Sequence, residues 1–457
     1  MATAPSGAPV SGAVVAIEAL GIATQTDRRG SFTLTQIPRG HWVLTVRLIG
    51  FRPREVMVNL SEIGEAPSLS IELEPQPVPL AAIEALRNRS EIGRNADRLP
   101  GSVQVIERSE RENHTLLYDD VNQVLRTVPG VNIQEEDAYG LRPNIGLRGT
   151  GTERSSKVTI MEDGVLIQPA PYAAPSAYYF PLLSRMAAVE VRKGSSQIHY
   201  GPRTIGGAIN LVSTPIPDGL MMAADIAGGE NTTAKATARV GDAGRNFGWL
   251  IEGTSIRTDG FKRIDGDLNE TGFDIQDVVA RLRLNMDRDA SVYQELQFKI
   301  GFYDERSNET YLGLTDADFS VNPNRRYPAS AEDLMNAEQR QLQARYFIQP
   351  SDRIDFSATA YRNDFRRNWY KLQSVFGQGI SSVLDDPAGN AAALSVLRGA
   401  DSAGDALRVR ANNRQYFGEG VQTVLGLSLD HGPVTHRIEL GGRLHRDEED
   451  RFQHEDA

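Results

Sequence analysis

From residue 219 onward, apolar and polar side chains alternate with a period of two. Ala234, Ala236, Ala238 and Val240 interleave with Lys235, Thr237 and Arg239, and Ala280, Leu282, Leu284 and Met286 interleave with Arg281, Arg283 and Asn285. Leu296, Phe298, Ile300 and Phe302 stand against Gln297 and Lys299, and Ile354, Phe356, Ala358 and Ala360 against Asp355, Ser357 and Thr359. Such a period predicts strands with one apolar and one charged face. A water-soluble sandwich alternates in the same way, so the connections have to separate the two readings. After a first hairpin at 228–231, short links (241–245, 287–290, 350–353, 431–433) alternate with long ones (258–276, 304–340, 365–412). Tight turns at one end, long loops at the other and strands near the roughly 9–11 residues that cross a bilayer predict a transmembrane β-barrel. About nine of its antiparallel strands would lie in 219–457, apolar face to outer-membrane lipid and charged face, including Lys235, Arg239, Arg281 and Arg283, inward. Hydrocarbon cannot satisfy an open sheet edge, so the chain is expected to stop in an outward loop, with a charged tail to Ala457.

The earlier chain has a different texture. Short apolar runs at 14–17, 23–26, 31–34, 42–48, 55–60 and 69–73, separated by turn residues, predict a small β-sandwich over 8–74. Pro75, Pro77 and Pro79 open a linker over 75–98. A mixed α/β unit follows over 99–215, with strands at 102–106, 157–161 and 188–192 and a loop at 169–181. Its helix, expected over 116–128, carries Leu117, Val121, Leu125 and Val128 at helical spacing and stops at Pro129-Gly130. The fold class is therefore mainly β, with three units in series.

Composition narrows the function. No run of about 18 apolar residues occurs and mean hydropathy is −0.37, so any membrane crossing would have to use strands. A net charge of −11, from 49 basic and 60 acidic residues, argues against nucleic acid as a partner, because phosphate binding needs a positive field. Absence of cysteine removes disulfides, thiolate metal sites and thiol nucleophiles. The first ten residues lack the basic and apolar regions of a secretory signal, so an exported protein would begin upstream.

Two groups of motifs carry resemblances. Thr26-Asp27-Arg28-Arg29-Gly30-Ser31-Phe32 with Ile37-Pro38-Arg39-Gly40 and Gly50-Phe51 resembles the carboxypeptidase-regulatory-like domain, in which a further strand normally comes first. Asn144-Ile145-Gly146-Leu147-Arg148-Gly149, Val158 to Val165 (Val-Thr-Ile-Met-Glu-Asp-Gly-Val), Val189-Glu190-Val191-Arg192-Lys193-Gly194 and Tyr200-Gly201-Pro202 through Gly206-Gly207-Ala208 occur in that order. Together they resemble the plug domain of TonB-dependent outer-membrane receptors. Glycines such as Gly201 and Gly206 would by themselves mark only turns with positive φ.

The resemblance implies a bacterial outer-membrane importer. Its plug fills the barrel, its ligand binds on the plug apex and outer loops, and an inner-membrane energy-transducing protein of TonB type pulls a segment ahead of the plug. Arg148, Gly149, Glu190, Gly201, Gly206 and Gly207 fall on structural plug positions, Arg148 and Glu190 as buried ion-pair formers. Leu80, Ile83, Glu84 and Leu86 mark the energy-coupling segment, or a plain linker. Ala170-Pro171-Tyr172 is similar to the ferric dicitrate receptors, although Ala173-Ala174-Pro175 follows where that subgroup has Gly-Gln-Pro, which weighs against citrate itself. For an anionic iron chelate, Arg142, Arg154, Gln168 and Tyr172 are the apex candidates. Arg325, Arg326, Arg366, Arg367 and Trp369 are the loop candidates, with ordinary solvation the other role open to each arginine.

Rival functions find little support. Two His-x-x-Glu matches, His436/Glu439 and His445/Glu448, cannot each share a metal, because strand positions three apart face opposite ways and the second pair falls in the charged tail. Gly149-Thr150-Gly151 has Arg154 where a dinucleotide turn needs its third glycine. Neither an enzyme, a metal nor a cofactor is expected. A surface-exposed, adhesin-like binding sandwich explains the strands and the acidity, but neither the order of the motifs nor the alternating loop lengths.

Overall fold

The computed structural model describes 101–456 apart from 109–116, 138, 267–269, 288–289, 352 and 432–433. Ahead of these it describes 2–3, 9–10, 13–17, 20, 22–27, 29–35, 37–47, 54–60 and 69–73. The linker 75–98, with Leu80, Ile83, Glu84 and Leu86, lies outside the described residues. The chain divides into two compact units, Met1–Ala85 and Leu86–Ala457.

In the first unit, β1 (Val14–Ile17), β2 (Ile22–Gln25), β3 (Gly40–Arg47) and β4 (Arg54–Leu60) form an antiparallel sheet in the order β2-β1-β3-β4. Val15, Ile17, Leu44, Val46, Ile71 and Leu73 form its core, with Phe32, Leu34 and Trp42 packed against it. The run 31–34 is not in a strand, and of 69–73 only Ile71–Glu72 is strand, parallel to Ala2–Thr3. The Asp27 carboxylate ties down the turn that precedes this run, accepting from Arg29 N at 2.8 Å and Ser31 N at 2.9 Å.

The second unit has an inner domain and a large curved sheet. The inner domain comprises β5 (Ser102–Glu107), α1 (Val121–Arg126), β6 (Val158–Glu162), β7 (Val165–Leu166), β8 (Met186–Lys193) and β9 (Gly207–Ser213). Its strands lie in the order β7-β6-β9-β8-β5, with β6 and β9 parallel. β6, β8 and β9 are buried almost throughout, because helix and sheet-wall residues cover both faces. The helix is shorter than its hydrophobic spacing predicts. Asp120 caps it, its carboxylate accepting from Asn122 N at 2.9 Å, and Leu117 lies before the cap.

Nine strands form the antiparallel meander of the large sheet, each paired to the next. They are β10 (Met221–Gly229), β11 (Thr233–Ala243), β12 (Phe247–Thr258), β13 (Phe273–Asn285) and β14 (Tyr293–Ser307), then β15 (Leu334–Ser351), β16 (Ile354–Val375), β17 (Leu407–His431) and β18 (Val434–Asp456). The last four run for 18, 22, 25 and 23 residues, well beyond a bilayer. The long links consequently contract to 308–333 and 376–406, and the expected charged tail is the later part of the strand β18. Pairing continues along these extensions, where polar side chains take over the outer face: Arg362 of β16 pairs across the strands with Glu419 of β17 and along its own strand with Asp364.

Burial separates a membrane sheet from a soluble one. Met222 is 75%, Ile226 87%, Ile300 57% and Leu444 80% exposed on the outer face, while Lys235, Glu252, Asp277, Lys299 and Gln341 are buried on the inner. A water-soluble core would invert this arrangement, and lipid favours it. The inner domain closes off the polar face, contacting strands β11 to β18 through side-chain hydrogen bonds and ring contacts.

The two long loops fold into a cap over the strand ends. α2 (Asp316–Val321), α3 (Ile380–Asp385) and α4 (Ala391–Leu397) enclose Leu312, Tyr327, Val375, Val383, Leu394 and Leu397. Asp333 fastens the cap, accepting from Leu372 N at 2.8 Å and Thr310 Oγ1 at 2.6 Å. Burial pushes its carboxyl up to about 6 from an ordinary 3.8. A raised folded value means the folded cap holds the proton more tightly. Its stabilisation is therefore complete below the ordinary value and is lost as pH climbs through about 6, by roughly 3 kcal/mol over the window. Hydrogen exchange of 308–333 should accelerate between about pH 4 and 7, and Asp333→Asn should flatten that slope. An unchanged slope in the variant would remove Asp333 as its source.

Candidate functional site

Buried ionic groups hold the inner domain to the wall. Glu162, at the end of β6, takes Arg185 Nη1 at 2.5 Å and Nη2 at 3.1 Å, Ser213 Oγ at 2.8 Å, and Lys299 of β14. Arg185 reaches Asp277 of β13 through Nε at 2.9 Å, and Lys299 reaches Asp163 at 2.8 Å. Burial alone would raise the Glu162 carboxyl, but the Arg185 and Lys299 charges hold it well below the usual carboxylate range. Higher up, Lys235 of β11 pairs with Asp119 at 3.0 Å, and Arg142 forks onto Glu305 of β14, Nη1 to Oε2 at 3.0 Å.

Arg148 is exposed on a left-handed turn with φ +55° and forms no buried ion pair among the described residues. Glu190 is buried, accepting from Asn210 Nδ2 at 2.9 Å. Buried ion pairs also involve Glu162, Asp163 and Arg185. The motif Met161-Glu162-Asp163-Gly164 contained the first two, but nothing local announced their partners. Gly201 has φ +122° with Arg443 Nη1 2.6 Å from where a Cβ would stand, whereas Gly206 has ordinary φ. A Cβ at Gly206 would meet Thr150 Oγ1 at 2.9 Å, so close approach is what requires glycine there. Gly207 is likewise hemmed in by Leu147, and Gly149 turns at φ +82°.

Three of the ligand candidates meet above the inner domain. The Arg367 guanidinium lies 3.9 Å from the Tyr178 ring centroid and 5.7 Å from that of Trp369, and Arg154 lies 5.7 and 5.8 Å from the same rings. Lys371 sits 4.8 Å over Trp369, with Tyr311 edge-on at 5.2 Å. Glu136 pairs with Arg154 at 2.6 Å. Arg367 is only 2% exposed, and its Nε and Nη1 have no hydrogen-bond partner among the described residues. Unspent donors on a buried cation beside aromatic faces form a cluster whose chemistry suits an anion with several oxygens. Lys371 was missed, although it shares the inward parity of Arg367 and Trp369.

The remaining candidates serve structure or lie elsewhere. Arg142 is consumed by Glu305, and Gln168 is buried in the inner domain, accepting from Ile160 N at 3.3 Å and donating to Pro175 O at 2.7 Å. Tyr172 is half exposed against His445 of β18, while Asp447 accepts from the Tyr172 and Ala173 amides at 2.7 and 3.1 Å. Arg325 joins loops by pairing with Asp265 and, at 2.9 Å, with Asp318. Arg326 donates to Pro323 O at 2.9 Å. Arg366 is exposed on the outer face of β16, one residue out of phase with Arg367. His445 and Glu448 of β18 likewise face opposite ways, as a strand requires. Among the described residues no cluster of three or more His, Asp or Glu side chains could hold a metal ion.

Residues 95–208 match the TonB-dependent Receptor Plug Domain, and residues 2–83 match the CarboxypepD_reg-like domain. Solved structures share the fold at low identity. The ferric citrate transporter FecA in the unliganded form is similar at 20% identity and TM-score 0.62, over 79% of this chain and 49% of its own. The ferric-catecholate import receptor Fiu from E. coli K12, open form, is 15% identical at 0.55, over 78% and 50%. The siderophore receptor PiuA from Acinetobacter baumannii is 19% identical at 0.57, over 77% and 46%. The chain thus spans about half the length of the solved proteins it matches.

Proposed function

We propose, from the premise that this chain carries a TonB-dependent receptor plug domain seated against a membrane-type β-sheet, that it belongs to an importer of a scarce, oxygen-rich anion. An iron chelate of ferric-siderophore or ferric-citrate type, taken up across the bacterial outer membrane, fits best. The observation that carries this reading is the cluster of Arg154, Arg367, Tyr178 and Trp369, where a buried guanidinium keeps unspent donors beside the plug. An anion docked there would neutralise a desolvated cation, which is worth more than the same contact in water.

Movement of the plug would then need work, because its anchors are buried charges. An energy-transducing partner of TonB type, gripping 80–86, is the proposed source. Growth of a gene-null strain on ferric citrate and on a ferric catecholate as sole iron sources, with and without the restored full-length gene, provides the test. Growth on at least one chelate should require both the gene and the transducer. Equal growth of the null strain on both would remove the importer, and growth without the transducer would remove the energy coupling.

A further inference from the structure

Of the three cations gathered around the Tyr178 and Trp369 rings, Arg154 alone has a carboxylate partner. Glu136 Oε2 stands 2.6 Å from its Nη1, whereas Arg367 and Lys371 have no carboxylate within ion-pair distance among the described residues. Two charges of the cluster are thus left open, and the third is already answered from within the plug.

One side chain sets both members of this pair. Arg154 is left-handed, at φ 45° and ψ 31°, and Ser155 after it has φ +53°. Residues other than glycine adopt that conformation at a cost and keep it only where neighbours hold them. Asn144 Oδ1 accepts from Arg154 N at 2.7 Å, and Ala177 N donates to Arg154 O at 2.8 Å. The buried Ser155 hydroxyl accepts from Ile145 N at 3.0 Å and donates to Pro143 O at 2.8 Å. The same Asn144 reaches the opposite loop, its Nδ2 donating to Gln134 O at 3.2 Å while Gln134 N donates to Asn144 O at 3.1 Å. One residue past Glu136, the Asp137 carboxylate is taken up by the amides of Tyr139, Gly140 and Arg142.

The backbone is therefore pinned on either side of Glu136, while its side chain stays 28% exposed and ends on Arg154. An ion pair this open adds little to stability, so stability alone does not account for the strain at Arg154 and Ser155. What the arrangement achieves is placement. It holds a carboxylate on the guanidinium where a ligand anion would dock, at the high effective concentration of a tethered group.

We infer that Glu136 is a tethered stand-in for the ligand, occupying Arg154 in the empty receptor and displaced from it by the incoming anion. In the empty state it offsets the repulsion between Arg154 and Arg367 across their shared rings. A ligand that offers Arg154 a single carboxylate merely exchanges one for another. An anion whose oxygens reach Arg154 and Arg367 together gains the second cation as well, so the competitor favours chelates with several separated oxyanions. The inference rests on the importer reading for where the anion docks.

Binding of ferric citrate and of a ferric tris-catecholate to the detergent-purified full-length receptor, read by quenching of intrinsic fluorescence and by stopped-flow dissociation, tests this. In Glu136→Gln, whichever chelate binds should do so about tenfold more tightly and leave more slowly, a gain between that of an exposed ion pair and that of a charge-assisted hydrogen bond. Glu136→Ala should agree, which keeps the test decisive should one variant misfold. Glu135→Gln removes the same charge one residue away, from a carboxylate that pairs with Arg126 instead, and should stay within about twofold. On an Arg154→Ala background, Glu136→Gln should gain no more than that same factor of about two, because the competition acts through that guanidinium. Affinity unchanged or weakened in both Glu136 variants, an equal gain in Glu135→Gln, or the full gain without Arg154 would overturn the inference. Chelate-dependent growth with no effect at Glu136 would remove the stand-in and leave the importer. The gain at Glu136 in a receptor that supports no such growth would remove the importer alone. Binding of neither chelate by wild type or variants would remove both.

Discussion

Replacement of Arg185 by alanine is expected to lower the stability of the plug by about 3–5 kcal/mol, because it strands the buried Asp277 carboxylate and takes one of two cations from Glu162. Glu162 and Asp277 both turn toward this guanidinium, and Tyr179 Oη accepts from it at 3.1 Å. Lys299 would still neutralise Glu162, but Asp277 would keep no cation within ion-pair distance among the described residues. Urea unfolding of the plug in the full-length receptor, followed by hydrogen exchange of β6 and β9, measures the loss. A midpoint equal to wild type would show that the network contributes nothing net. Acid should act on the same contact from the other side. Glu162 is depressed in the folded state, so its contribution is present above its ordinary value and fades only as pH falls through the lower folded one.

Replacement of Arg367 by alanine should weaken binding of whichever chelate supports growth by about tenfold to a hundredfold, the cost of roughly 1.5–3 kcal/mol for a charge-assisted hydrogen bond. Arg154→Ala should behave similarly, and the two together should lose less than the product of the separate effects, because they share the Tyr178 and Trp369 faces. Arg366→Ala, one residue away on the outer face, should leave affinity within about twofold, as expected of a surface arginine making no ligand contact. Equilibrium binding of the chelate by intrinsic fluorescence would decide. Equal losses at Arg366 and Arg367, or none at either, would move the ligand elsewhere.

Much of the fold is legible in local pattern. The alternation at 234–240 and 280–286 places Ala234, Ala236, Ala280 and Leu282 on the lipid side and Lys235, Thr237 and Arg283 inside, as observed. The same alternation, carried upward, already separates Arg366 from Arg367, yet both read as loop because the expected strand ended at 360. That error has a physical cause. Above the bilayer the outer face turns polar, so the period-two contrast disappears while backbone pairing continues to Val375. A similar loss of contrast hid the later part of β18, where Arg446, Glu448 and Asp450 look like a tail, although Ile438 and Leu440 mark its start.

Periodicity, link length and turn chemistry are local properties, and the sequence by itself therefore determined the sheet, its lipid face, the inner domain and the order of units. Which charges neutralise which was decided only by tertiary structure. Arg185 meets Asp277, Arg142 meets Glu305 and Arg154 meets Trp369 because the plug is docked at one height against one register of the wall. Coulomb and hydrogen-bond energies depend on separations of a few ångströms between residues far apart in the chain, and no local pattern encodes those separations.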